Sequence, residues 1–248
     1  MSKYSNIPRM LLCNNFIIDW SAKAGCTVAI KMWFDYLGVL EDANRYSYPR
    51  KWIHDFRVDV FYERFGYANQ SHIDSSDFIK IKYVRNPFTR VVSSYLHGIR
   101  SKLFSSRFCP HWPDNIGDKN EISFYEFVNL LFDEKFLCSG GGHWRIQNMY
   151  PDINYDEVVK IEKLQDGVEN LNKKYNLNLK WDFGSGHHLK KKTKIDNFYE
   201  KSASDVLKYL DENKEVPTYD SFYNNEIKEM VYKIYEVDIE TYGYDYDL

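Results

Sequence analysis

One lysine, Lys23, stands among small residues in the run Ser21, Ala22, Lys23, Ala24, Gly25, Cys26, Thr27, and further along Arg85 is followed eight positions later by Ser93 in "RNPFTRVVSSY". Both patterns suit an anion. Small residues let main-chain N–H groups approach an oxyanion, and the first turn of a helix leaves such groups without partners at the positive end of its dipole. A lysine adds a point charge there. An arginine presents paired donors that match phosphate oxygens, and a hydroxyl about two helical turns further on returns to the same side of the helix. The two runs therefore read as two anion subsites, and a ligand with a phosphate at each end of a nucleoside would use both. The first run lacks the spaced glycines and the Gly-Lys-Ser/Thr ending of the usual ATP-binding loop.

The flanking residues predict the elements that carry these runs. Apolar Phe16, Ile17 and Ile18 precede the lysine run, and Val28, Met32, Trp33, Tyr36 and Leu37 follow it at helical spacing up to Gly38, so it is a strand–loop–helix corner. "FIKIKYV", Phe78 to Val84, alternates apolar and lysine residues and then enters Arg85-Asn86-Pro87, a second strand leading into a helix with proline in its first turn. That helix, Phe88 to Leu103, is apolar at Val91, Val92, Tyr95, Leu96, Ile99 and Leu103 and carries Arg90, Ser93, Ser94 and His97 on its other face. Ser123 with Glu126 is a capping-box start, Val158 to Ile161 a short strand before a helix, and Asn224 to Val237 the last long helix. The stretch Glu41 to Ser76 reads as loops with one or two short helices. Strands alternating with helices predict an α/β fold with a central parallel sheet flanked by helices, whose ligands collect at the carboxyl ends of the strands.

With 248 residues the chain is expected to form a single domain over residues 1–248. Its formal net charge of -3 gives no global basic field for nucleic acid. The start of the chain has neither a signal peptide nor a membrane anchor, and four cysteines are too few for a disulfide scaffold, so a cytoplasmic setting without stable membrane insertion is expected. Cys109 with His111 and Cys138 with His143 lack the common spacing of zinc ligands, and no metal is expected.

"AKAGCT" and "RNPFTRVVSSY" together resemble the sulfotransferases that use 3′-phosphoadenosine 5′-phosphosulfate (PAPS), in particular the branch that sulfates carbohydrates. The first is similar to that family's P-loop-like 5′-phosphosulfate loop and the second to its 3′-phosphate motif. "HWRIQ" at His143, "YDEVVKIEKL" at Tyr155 and "VYKIYEVDIETYGY" near the end extend the resemblance along most of the chain. It implies that Lys23 contacts the 5′-phosphosulfate and stabilises the leaving phosphate. Ala24, Gly25, Cys26 and Thr27 would line the same group, and Arg85 and Ser93 would hold the 3′-phosphate. Ala22 departs from the family pattern, which usually has proline there. The implied reaction is transfer of a sulfuryl group from PAPS to a hydroxyl of a carbohydrate or related acceptor, with no metal required.

The acceptor must lose a proton, and histidine is the side chain whose ordinary pKa suits that task. His72, just upstream of the second strand, is the first choice by its position in the resemblance; His143, after three glycines expected to form a mobile loop, is the second; His97, one turn past Ser93, is the third. The run His187 to Lys194 reads as a mobile basic loop that closes over a nucleotide, with Gly184 and Gly186 as hinges. Two other classes compete: a metal-dependent nucleotide phosphotransferase, against which stand the missing Gly-Lys-Ser/Thr ending and the lack of an obvious magnesium-binding carboxylate pair, and a non-catalytic nucleotide or glycan binder. The acceptor and the oligomeric state leave no trace in the sequence.

Overall fold

The apolar runs at Phe16 and Ile79 become neighbouring strands because each presents alternate residues to two buried faces. The structure is a computed structural model that describes residues 10–47, 52–101, 103–104, 109, 121–183, 191–213 and 215–246. In chain order the elements are β1 (Leu11–Cys13), β2 (Phe16–Trp20), α1 (Cys26–Tyr36), α2 (Leu40–Ser47), α3 (Ile53–Phe56), α4 (Tyr62–Phe65), α5 (Gln70–Asp74), β3 (Ile79–Val84), α6 (Pro87–Arg100), α7 (Phe124–Leu130) and α8 (Glu134–Leu137). They continue with β4 (Glu157–Lys160), α9 (Leu164–Tyr175), β5 (Lys191–Thr193), α10 (Ala203–Glu212), β6 (Glu215–Pro217) and α11 (Asn225–Tyr242). The chain falls into two compact units, Met1–Val84 with Tyr150–Ser185, and Arg85–Met149 with Gly186–Leu248.

The first unit holds a sheet of order β1-β2-β3-β4. β1 pairs antiparallel with β2, whereas β2, β3 and β4 run parallel, with Trp20 opposite Tyr83 and Tyr83 opposite Val159. The expected parallel sheet is thus present with an antiparallel edge strand. Phe16, Ile18, Ile81 and Tyr83 face a core filled by Ala29, Ile30, Met32, Trp33 and Phe34 of α1. The Trp33 indole donates to the Tyr83 hydroxyl at 3.1 Å inside that core. The opposite face buries Ile17 with Met10, Ala68, Ile73 and Ile153. Alternation alone sends the lysines of β3 to solvent, yet Lys82 is only 3% exposed. It meets the buried Asp19 carboxylate at 2.6 Å, and the Tyr155 hydroxyl donates to the same oxygen at 2.6 Å. A buried charge is tolerable when it is paired and hydrogen-bonded in this way.

The second unit is mostly helical. Asn86 caps α6, its side chain accepting from the Phe88 and Thr89 N–H groups, and Pro87 occupies the first turn. Tyr95, Phe104, Phe124, Phe127, Phe136, Trp144 and Phe222 form an aromatic core between α6, α7 and the later elements. The Ser123 and Glu126 capping box is formed, with Ser123 N–H donating to the Glu126 carboxylate at 2.8 Å and Glu126 N–H to the Ser123 hydroxyl at 3.2 Å. β5 and β6 pair parallel as a separate two-stranded sheet.

Three expectations change. The stretch read as loops contains α2 to α5 and a π-helical turn at Arg57–Phe61 that joins α3 to α4. The last helix runs on to Tyr242, past the expected end at Val237, with non-helical angles at Tyr235. Lys191–Thr193, expected in a mobile loop, is strand β5; residues 184–190 of that loop lie outside the described residues. Among the described residues no helix is long and apolar enough to cross a membrane.

Candidate active site

The first corner follows the carboxyl end of β2 and opens α1. Ala24 N–H donates to the Ser21 carbonyl at 3.0 Å, closing a turn. Lys23 has φ of 66° and Gly25 φ of 73°, so two residues of this loop are left-handed. A non-glycine residue seldom holds that conformation without local purpose, and here it bends the backbone across the helix terminus. Gly25 admits no side chain, because a Cβ would lie 2.2 Å from the Cδ1 of Ile161, just past β4. Ala24 is fully buried. The corner is a cramped main-chain turn whose N–H groups at the start of an 11-residue helix lie at the positive end of its dipole.

A histidine that sequence reasoning passed over stands beside this turn. The His54 Nε2 atom lies 3.4 Å from the Thr27 hydroxyl and 3.8 Å from the Cys26 sulfur. His54 sits in α3, inside the stretch read as loops with one or two short helices, so no spacing rule in the sequence tied it to Thr27.

His72 is placed differently. Its ring packs edge-on against Phe78, at the amino end of β3, whereas the first corner follows the carboxyl end of the parallel neighbour β2. Its Nδ1 accepts the Asn69 N–H at 3.1 Å, while Asn69 caps α5 through the His72 N–H. Neutral His72 therefore carries its proton on Nε2, and its basic nitrogen is already engaged. The structure does not bring His72 to Lys23 and gives it a helix-capping role.

The second corner lies in the other unit and is held by a clamp. The Gln147 side-chain oxygen accepts from Arg85 N–H at 2.9 Å, and its amide donates to the Arg85 carbonyl at 2.8 Å. The buried Asp238 carboxylate in turn accepts from Gln147 N–H and Asn148 N–H at 2.7 and 2.8 Å. The Arg85 guanidinium is steered by Thr89, whose hydroxyl accepts from Nε at 3.0 Å, and by the Tyr219 hydroxyl at 2.6 Å. Lys192 of β5 lies over the same Tyr219 ring, 5.2 Å from its centroid. The basic run thus brings a second cation to the Arg85 corner, a role only strand pairing reveals. Beneath the corner Arg90 is 1% exposed. Burial pushes its pKa below the usual guanidinium range, and Tyr235 and Asp238 work against that shift.

Ser93 is half-buried on α6, and His97 follows it by one turn on the same face. The His97 ring stacks on His143 with centroids 4.6 Å apart. His143 Nδ1 lies 2.7 Å from the Gly140 carbonyl. A carbonyl only accepts, so Nδ1 carries the proton and neutral His143 keeps a lone pair on Nε2. The glycines before it form a 3-10 turn, and a Cβ on Gly140 would lie 2.0 Å from the buried Trp144 ring. Cys109 donates to the Leu103 carbonyl at 3.3 Å, and His111 lies outside the described residues.

These two corners fall within one family model, described as "Sulfotransferase family", that matches residues 22–245. The chain belongs to the sulfotransferase family. The match begins at Ala22 of the first corner and runs through both units. Searches of curated proteins and of solved structures give no significant match. Sulfotransferase membership makes the chain a transferase that has an acceptor.

Proposed function

We propose that this sulfotransferase takes its sulfuryl group from PAPS and passes it to a hydroxyl of a carbohydrate or related acceptor. The observation that carries the reading is the first corner, where left-handed Lys23 and Gly25 set a lysine and a helix N-terminus at one turn. In this reading the residues from Lys23 to Thr27 hold the 5′-phosphosulfate, while Arg85 and Ser93 hold the 3′-phosphate, with Lys192 adding charge beside Arg85.

The acceptor oxygen attacks sulfur as the bond from sulfur to the bridging oxygen of the donor breaks. Negative charge gathers on that oxygen, which Lys23 and the N–H groups opening α1 stabilise where it forms. The acceptor proton goes to a base, leaving a sulfate ester and 3′,5′-adenosine bisphosphate (PAP). We place the base at His54, next to Thr27, ahead of His143 and His72. Lys23 and Arg85 supply the cationic contacts, and the reaction balances without a metal.

The test is a thermal-shift titration with PAP, using AMP and ATP as controls, followed by transfer of labelled sulfate from PAPS to a panel of sugars. A ligand bound only by the folded state raises the melting temperature. PAP is expected to stabilise the chain, AMP and ATP to do so less, and Arg85→Ala to abolish the difference. His54→Gln is expected to keep PAP binding and lose about 100-fold in turnover, the usual contribution of a general base. Stabilisation by ATP with magnesium alone would overturn the reading.

A further inference from the structure

A cleft of about 210 Å³ opens in the first unit at the carboxyl end of β2, immediately before the Lys23 turn. Asp19 and Trp20 of β2 form one wall, and Arg57, Val58 and Tyr62 form the other. The second wall is the π-helical turn and its exit, a rare geometry that recurs at functional sites. Arg57 follows His54 by three residues in the same helical run, so the cleft and the proposed base belong to one element.

The charges in this cleft do not cancel. Asp19 is already engaged by Lys82 and Tyr155. The Arg57 guanidinium lies over the Trp20 ring at 5.1 Å and over the Tyr62 ring at 5.6 Å, both measured to the centroid. Aromatic faces fix the plane of a guanidinium and leave its N–H edge as the direction of bonding. The Arg57 Nε atom is buried and has no hydrogen-bond partner among the described residues. A desolvated donor on a permanent cation is costly unless a ligand supplies an acceptor, and the strongest acceptor for such a fork is a carboxylate or a sulfate.

We propose that this cleft is an acceptor subsite that takes an anionic group of the acceptor sugar on Arg57, with Trp20 and Tyr62 as its apolar walls. The inference rests on the sulfotransfer reading and adds the class of substrate: an acidic sugar, carrying either a carboxylate or a sulfate ester. Its volume is below the about 300–1,000 Å³ of sites that enclose drug-sized ligands, so it receives one sugar residue of a longer acceptor.

The experiment measures binding of three short oligosaccharides to the full chain by calorimetry, with and without PAP. A hyaluronan tetrasaccharide carries carboxylates and no sulfate, a carrageenan tetrasaccharide carries sulfate and no carboxylate, and chitotetraose is neutral. At least one acidic probe is expected to bind about tenfold tighter than chitotetraose, the scale of one charge-assisted bidentate contact. Which acidic probe wins identifies the group. Arg57→Gln is expected to erase that preference while the PAP thermal shift stays. Val58→Glu, at a residue 42% exposed on the rim, is expected to weaken the acidic probes and spare the neutral one without disturbing the fold. Equal binding of all three probes, no binding of any, or a preference that survives Arg57→Gln with the PAP shift intact would each overturn the subsite. Absence of a PAP shift in the unsubstituted chain counts against the donor reading alone, because the sugars are also measured without PAP.

Discussion

Gly25 shows how a single atom controls the first corner. Its φ of 73° is unfavourable for any residue with a Cβ, and that Cβ would lie 2.2 Å from the Ile161 side chain. Left-handed geometry costs about 1–2 kcal/mol for an ordinary residue, and overpacking adds about 1–3 kcal/mol. Gly25→Ala is therefore expected to lower stability by about 2–5 kcal/mol in chemical denaturation and to abolish PAP stabilisation. Adding Ile161→Ala to Gly25→Ala removes the clash and leaves the backbone penalty, so the double variant is expected to regain part of the stability. Full recovery would show that backbone conformation at this turn is unimportant. His54 and His72 make a related point about side chains: both are histidines near short helices, and only their hydrogen-bond partners separate a candidate base from a cap.

At the scale of elements, β5 decides what the basic run does. Pairing with β6 sets Lys192 opposite Val216 and brings its ammonium over Tyr219, whose hydroxyl also meets Arg85. Lys192→Ala is expected to weaken PAP binding several-fold, and to do so most at low salt, because a charge at the edge of an anion site acts through a screened field. Titrating PAP at two ionic strengths checks this. An effect that does not change with salt would mean that Lys192 supports Tyr219 by packing and takes no electrostatic part. The clamp from Asp238 through Gln147 to the Arg85 backbone works at the same scale, since α11 and the segment after Trp144 jointly fix where α6 begins.

Over the whole molecule, acidic groups buried without their charge set the alkaline limit of stability. Burial raises the pKa of Tyr83 and Cys13 in the first unit and of Tyr95, Tyr223 and Tyr235 in the second. Each therefore holds its proton in the folded chain at a pH where the unfolded chain has released it. The unfolded state binds fewer protons there, so stability falls as pH rises. That stability is complete below the ordinary thiol and phenol values, about 8.5 and 10, and is lost progressively above them toward the raised folded values. The share of the tyrosinate absorbance that comes from these buried phenols is expected to appear together with the loss of near-ultraviolet circular dichroism in an alkaline titration, because they ionise only on unfolding. Ionisation of all tyrosines well before loss of the tertiary signal would contradict this.

Much of the fold was legible in the sequence: the strand before each corner, the proline in the first turn of α6, the capping box at Ser123, and the small-residue turn around Lys23. These depend on residues close together in the chain, through backbone sterics, capping and the periodicity of burial. The antiparallel edge, the buried pair of Asp19 and Lys82, His54 beside Thr27, and the Arg57 cleft were not legible. Each joins residues distant in sequence whose types alone are ordinary, and only packing sets their distances. The residues of the two corners were therefore determined by sequence, whereas the histidine beside the first corner and the cation in the cleft next to it were decided by tertiary structure.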